Sequence, residues 1–134
     1  TRPPIRLVKG AYREPPTVAM PRKADVDEAF RRLAARMLSD RREGAMGFPA
    51  IGTHDPRMIR DAERTARELG LAPDAWEVEM LYGIGLPDQA RLRRDGVPLR
   101  VLISYGSHWF PWYMRRLAER PANVGFVLRQ LVRR

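Results

Sequence analysis

The residues of this chain whose types and spacing could do chemistry are mostly cations placed at the ends of apolar runs. Lys9 closes Arg6-Leu7-Val8 and precedes Gly10. A lysine embedded in an apolar strand is costly unless it meets an anion or a carboxylate, so a ligand or an ordinary buried ion pair would each account for it. Glycine directly after it lets a ligand approach the backbone closely. Arg22-Lys23 stands just before a helix start, where free amides and the helix dipole add to the charge and suit a phosphate. A pair of solvated surface cations is the plainer alternative. Thr53-His54-Asp55, followed by Pro56, offers acid–base or metal chemistry in principle. With two histidines, no cysteine and neither HxH nor HExxH spacing, no metal site is expected. His54 reads better as a hydrogen-bonding or stacking group for a ligand, and His108 as the start of the last helix. Arg115-Arg116 lies on a helix-like stretch, where neighbours are about 100° apart and can converge on one ligand. Guanidinium forks bind carboxylates bidentately, although a surface pair is again the alternative. No GxGxxG fingerprint, P-loop, serine elbow or paired-carboxylate signature occurs. The residues alone support an anion-binding half of a barrel enzyme and leave the reaction open.

Four strand–helix units would position these groups. Ile5 to Val8 is a short apolar run that reads as a buried parallel strand. After a proline-rich connection, Asp25 to Leu38 has helical apolar spacing, with Asp25 as N-cap and Gly44 and Gly47 closing it. Phe48 to Thr53 is the second strand and Pro56 to Leu69 the second helix, closed by Gly70. Trp76 to Tyr82 is the third strand, followed by a short helix from Asp88 to Asp95. Leu99 to Tyr105 is the fourth strand, followed by a helix from Trp109 to Glu119 and a further helical segment from Asn123 to Leu131. Such alternation implies parallel βαβ units with right-handed crossovers. Polar residues gather at the C-terminal end of every strand: Lys9, Thr53-His54-Asp55, Tyr82, and Tyr105 through His108. In a barrel those ends converge on one site, which favours half a barrel over a doubly wound sheet.

Composition narrows the class. The 134 residues suggest one domain at most. The net charge of +9 would suit a nucleic-acid binder, half of a larger fold, or a face that grips a dianionic cofactor. The arginines recur with carboxylates along helix-like stretches, such as Glu28 to Arg32 and 60–64, so most are expected on solvated helix faces. Absence of cysteine excludes a disulfide framework and a cysteine nucleophile. No apolar run approaches the roughly 18 residues needed to cross a bilayer. Thr1-Arg2-Pro3-Pro4 shows no secretory pattern and leads straight into a strand, as in a chain cut from a longer one. Nothing in the composition points outside the cytoplasm, and a cytoplasmic location is expected.

Taken in order, Arg6-Leu-Val-Lys-Gly-Ala-Tyr12, Arg22-Lys-Ala-Asp-Val-Asp27, Phe48-Pro-Ala-Ile-Gly-Thr-His-Asp55, Glu79-Met-Leu-Tyr-Gly83, Tyr105-Gly106 and Arg115-Arg-Leu-Ala-Glu-Arg-Pro-Ala-Asn123 resemble the proline dehydrogenase family, of the monofunctional bacterial type. The resemblance covers nearly the whole chain. It implies the α/β fold of a (β/α)8 TIM-like barrel, of which residues 1–134 would be the C-terminal half, strands five to eight with their helices. An N-terminal half-barrel segment would then be required as partner. It further implies FAD-dependent oxidation of L-proline to Δ1-pyrroline-5-carboxylate by hydride transfer to flavin N5, with electrons passed to quinone and no nucleic-acid partner.

Carried over by motif, Arg6 and Val8 would lie by the isoalloxazine, with Arg6 stabilising the reduced ring and so counted as catalytic. Lys9 and Gly10 would be near the same strand end. Arg22 and Lys23 would bind the cofactor's phosphates, Thr53 and His54 would also touch the FAD, and Glu119 would meet its ribityl chain. Arg115 and Arg116 would clamp the substrate carboxylate, and Leu81 would pack against the ring. Three positions depart from the family pattern: Leu102 and Trp112 stand where tyrosines usually line the substrate pocket, and Glu79 where glutamine is common. Tyr105 or Tyr113 could compensate. These departures open a second reading, oxidation of a different cyclic amino acid or related amine. A basic nucleic-acid binder or inactive paralogue is the third.

Overall fold

The computed structural model describes residues 2–9 and 15–118, and within the last helix leaves the side chains of 113 and 115–118 outside the description. Each of four short strands is followed by a helix. The order is β1 (Ile5–Val8), α1 (Lys23–Arg42), β2 (Pro49–Gly52), α2 (Pro56–Glu68), β3 (Glu77–Leu81), α3 (Leu86–Arg94), β4 (Leu99–Leu102) and α4 (Trp109–Ala118). A single 3-10 turn at Pro73–Ala75 precedes β3. The strands form one sheet in the order β1-β2-β3-β4, all parallel. A doubly wound sheet would reverse its order at a switch point, whereas a barrel adds each strand beside the last. The expected half-barrel is what the chain forms.

Alternation along the strands splits the sheet into two faces. One face turns Leu7, Ile51, Val78, Met80 and Leu99 towards the helices. There they meet Phe30, Ala34 and Leu38 of α1, Met58, Ile59, Ala62 and Ala66 of α2, and Leu92 of α3. This is the core, and Trp76 joins it just before β3. Ion pairs lace the helices above it: Arg31 to Asp61 at 3.0 Å between α1 and α2, and Arg91 forked on Glu63 at 3.0 and 3.1 Å between α2 and α3. Part of the arginine surplus is spent in this way on helix faces.

The structure redraws several expected boundaries. α1 starts two residues before Asp25, with Arg22 in extended conformation as its N-cap and no side-chain cap. Asp25 falls in the first turn because Arg22 forks onto it, with both contacts at 2.8 Å. The helix continues past Leu38 to Arg42 and stops before Gly44, whose φ of 69° lies in the left-handed region. α2 begins as expected, with Asp55 accepting from the Arg57 amide at 3.1 Å and Pro56 in the first turn. α3 starts at Leu86, not Asp88, because Gly85 at φ 67° turns the chain early. β4 ends at Leu102, not Tyr105, where the bond from the Tyr82 amide to the Leu102 carbonyl (3.0 Å) closes the β3–β4 pairing. The expected end of the last helix at Glu119 and the segment from Asn123 to Leu131 lie outside the described residues.

Among the described residues, β1 and β4 each have one strand neighbour, so both edges offer unpaired backbone groups. The 134 residues expressed alone should therefore self-associate and elute from a sizing column well above their 15.4 kDa. A monodisperse monomer would contradict an open half-barrel.

Candidate functional site

The second face of the sheet, turned away from the helices, carries candidate site residues. Arg6 and Val8 of β1, Ala50 and Gly52 of β2, Glu77, Glu79 and Leu81 of β3, and Arg100 and Leu102 of β4 alternate with the core positions. Leu81 and Leu102 lie nearest the C-terminal rim, Val8, Gly52, Glu79 and Arg100 share the register below, and Arg6, Ala50 and Glu77 the one below that. The Val8 side chain leans over Gly52, where an added Cβ would come within 3.2 Å of it and of the Leu7 carbonyl.

At the end of β1, Lys9 is buried at 6% exposure between two carboxylates. Its Nζ is 2.6 Å from Asp27 Oδ1 in α1 and 2.8 Å from Asp55 Oδ2 at the start of α2. Lys23 Nζ meets the other Asp27 oxygen at 2.6 Å, and Arg57 meets Asp55 Oδ2 at 3.0 Å. Burial alone would raise the Asp27 carboxyl, but hydrogen bonds from Lys23 and Lys9 outweigh it and hold the group below the usual carboxylate range. Asp55 behaves alike: burial is outweighed by hydrogen bonds from Arg57 and Lys9, and its carboxyl is strongly lowered. Of the two accounts open for Lys9, the buried ion pair is the one observed for its ammonium. The network bolts the mouth of β1 to the N-terminal ends of two helices.

The end of β2 is equally fixed. Thr53 is buried, and its Oγ1 accepts from the Asp55 amide at 3.1 Å. His54 Nε2 accepts from the Leu81 amide at 3.4 Å. Buried Gln89 of α3 donates to the carbonyls of Leu81 and Ile84 at 3.1 and 2.8 Å. That shapes the turn after β3 and, with it, one wall of a cavity of ≈ 360 Å³. Leu81, Leu102 and Trp112 line this cavity together with Tyr82, Ser104 and Trp109.

The structure thus brings Leu81, Leu102 and Trp112 to one apolar hollow, and Arg6, Val8, Thr53 and His54 to the adjoining strand ends. Arg22 and Lys23 stand apart at the N-terminus of α1, exposed at 79% and 71% and paired with Asp25 and Asp27. Arg115 and Arg116 lie on α4 at positions described by their backbone only, and Gly10 and Glu119 fall outside the described residues. Sequence reading missed the partners. Asp27 looks like any first-turn acid, and Gln89 like any helix-surface amide. The link from Arg6 to Glu79 was foreshadowed only by charges at alternate positions of β1, β3 and β4. Among the described residues no group of three or more His, Asp or Glu could hold a metal ion.

The chain matches the sequence model of the family described as proline dehydrogenase over residues 1–129. It is 43% identical over 132 residues to the proline dehydrogenase of Deinococcus radiodurans, which covers 98% of this chain and 41% of that protein. Proline dehydrogenase 2 of Bacillus subtilis is 40% identical over 132 residues, covering 98% and 42%. The chain spans less than half the length of the curated relatives it matches. Among solved structures, proline utilization A from Bdellovibrio bacteriovorus, inactivated by N-propargylglycine, superposes with a TM-score of 0.75 at 25% identity, covering 85% of this chain and 13% of that one. A mutant of proline utilization A from Bradyrhizobium japonicum gives 0.70 at 25% identity, covering 94% and 14%.

Lys9→Met in the intact protein should cost about 3–5 kcal/mol at neutral pH, because buried Asp27 and half-buried Asp55 lose their shared cation. Asp27 and Asp55 hold protons less readily folded than unfolded. Their contribution is therefore full above the ordinary aspartate value of about 3.9 and drains away as pH falls below it. Urea midpoints across that range should fall steeply for the parent and less steeply for Lys9→Met. Equal midpoints for both at neutral pH would contradict the assignment.

Proposed function

Because this chain belongs to the proline dehydrogenase family, we propose that it supplies strands five to eight of a (β/α)8 barrel that oxidises L-proline to Δ1-pyrroline-5-carboxylate with FAD. The observation that carries the proposal is the convergence of Arg6, Val8, Thr53 and His54 with the cavity of Leu81, Leu102 and Trp112 at one rim of a parallel sheet. Residues 1–134 are read as part of one catalytic domain whose other strands come from an N-terminal half-barrel segment.

The donor set fits the cofactor. Arg22 and Lys23 are exposed cations at the start of a 20-residue helix that lacks a side-chain cap, the arrangement a pyrophosphate needs. Arg6 and Val8 would face the ring system, and Thr53 and His54 would hold its edge. Gly10 and Glu119 keep their motif-based cofactor roles. Lys9, matched by Asp27 and Asp55, supports the strand end beneath. The chemistry supplied by a flavin held there would be acceptance of a hydride from the substrate carbon next to nitrogen.

The chain's own residues do the rest. Arg115 and Arg116 would clamp the substrate carboxylate in two-point hydrogen bonds. Leu81, Leu102 and Trp112 would pack on the hydrocarbon ring and exclude water. Arg6 would oppose the negative charge arriving beside it. Quinone is the proposed acceptor, and a cytoplasmic location with peripheral membrane contact is proposed with it. No helix among the described residues is long and apolar enough to cross a membrane. A second reading, oxidation of a different cyclic amino acid or amine, is favoured by Leu102 and Trp112, which give the cavity wall carbon and indole where hydroxyls are usual in the family.

Arg115→Ala should raise the KM for L-proline roughly 10- to 100-fold, matching the 1.5–3 kcal/mol of hydrogen bonds to a charged group, while leaving flavin content unchanged. Steady-state rates with an artificial electron acceptor and the visible spectrum read the two effects separately. Equal loss of substrate and flavin binding, or of neither, would contradict the clamp.

A further inference from the structure

The inner face of the half-barrel carries a row of alternating charges of which the proposed function uses only Arg6, leaving Glu77, Glu79 and Arg100 without a task. Arg6 on β1 reaches over β2 to Glu79 on β3, with Nη2 3.0 Å from Oε1 and Nε paired to Oε2. It can cross because β2 turns only Ala50 and Gly52 to that face. Glu79 is also 3.9 Å from Arg100 Nε, and Arg100 forks onto Glu77 at 2.7 and 3.0 Å. The acid is the covered member of the first pair and the base the open one, at 13% and 57% exposure. A two-point fork fixes the plane of a guanidinium, which a single bond does not.

We infer that Glu79 is a positioning residue for Arg6: it fixes the guanidinium plane at the strand end and offsets part of the charge Arg6 presents there. The inference rests on the reading of Arg6 as the residue beside the flavin. A carboxylate held this close to the cation opposes the arrival of electrons that the cation alone would favour. With Glu79 in place, the flavin is harder to reduce than Arg6 by itself would make it.

The test is the reduction potential of the flavin in the intact holoprotein, measured by equilibration with a reference dye, for the parent, Glu79→Gln, Glu79→Asp and Glu77→Gln. Glu79→Gln keeps an acceptor for Arg6 and removes the charge. It should retain flavin and raise the ratio of reduced to oxidised flavin about tenfold at a given potential, a positive shift of about 30 mV for two electrons. Glu79→Asp keeps the charge and should stay close to the parent. Glu77→Gln removes the same charge two residues deeper, beside Arg100, and should move the ratio far less. An unchanged potential in Glu79→Gln, a shift in Glu79→Asp as large as in Glu79→Gln, or equal shifts at Glu79 and Glu77 would each overturn the inference. A parent protein purified without flavin would instead overturn the cofactor reading, and this inference with it.

Discussion

Four parallel strands added side by side leave this chain little freedom in where its chemistry can go. Each strand gives alternate side chains to the helices, and that face is filled by Leu38, Ile51, Ile59, Val78 and Leu92, all at 0% exposure. Everything polar that a strand carries must then point to the other face or gather at its C-terminal end. Parallel direction puts all four ends on one rim. The site is a consequence of that geometry: the same pleat that buries Val78 presents Glu77 and Glu79 on the opposite side.

The rim also has to be rigid, and charge supplies part of the rigidity. A buried ammonium between buried Asp27 and half-buried Asp55 is costly to form, and removing one partner is costly again. Lys9 therefore registers β1 against α1 and α2 through directional contacts whose loss leaves carboxylates short of a cation. The helix that begins beside this network is the one bearing Arg22 and Lys23. Lys23, proposed to face a phosphate, and the strand end proposed to face the flavin are thus tied through Asp27, while Arg22 pairs separately with Asp25; both cations are exposed. A ligand anion would compete with Asp25 and Asp27 for them, which sets a cost on binding that the open helix end offsets.

Much of the architecture was legible in the sequence because its signals are periodic. Short apolar runs at Ile5, Ile51, Val78 and Val101, separated by helical stripes and closed by glycines, can hardly form anything but βα units. Half a barrel followed from the polar ends, and the likeness to the family from motifs such as Gly52-Thr53-His54-Asp55. What the sequence hid was pairing between distant charges. Lys9 could face a ligand or a carboxylate, and only the position of Asp27 on a helix that starts at Lys23 decides for the carboxylate. Arg6 and Glu79 are 73 residues apart and meet because the strand between them carries alanine and glycine. The start of α1 was hidden by a side-chain bond, Arg22 taking Asp25 and so removing it from the capping position, and the start of α3 by the left-handed turn at Gly85.

The central claim is that this rim holds a flavin and passes it electrons from proline. An anaerobic visible spectrum of the intact protein, before and after adding L-proline, tests it most directly. A flavin band that bleaches on addition of proline is the predicted result. A protein without a flavin band would contradict the account, and a band that survives proline but bleaches with another cyclic amine would move the substrate to the reading that Leu102 and Trp112 favour.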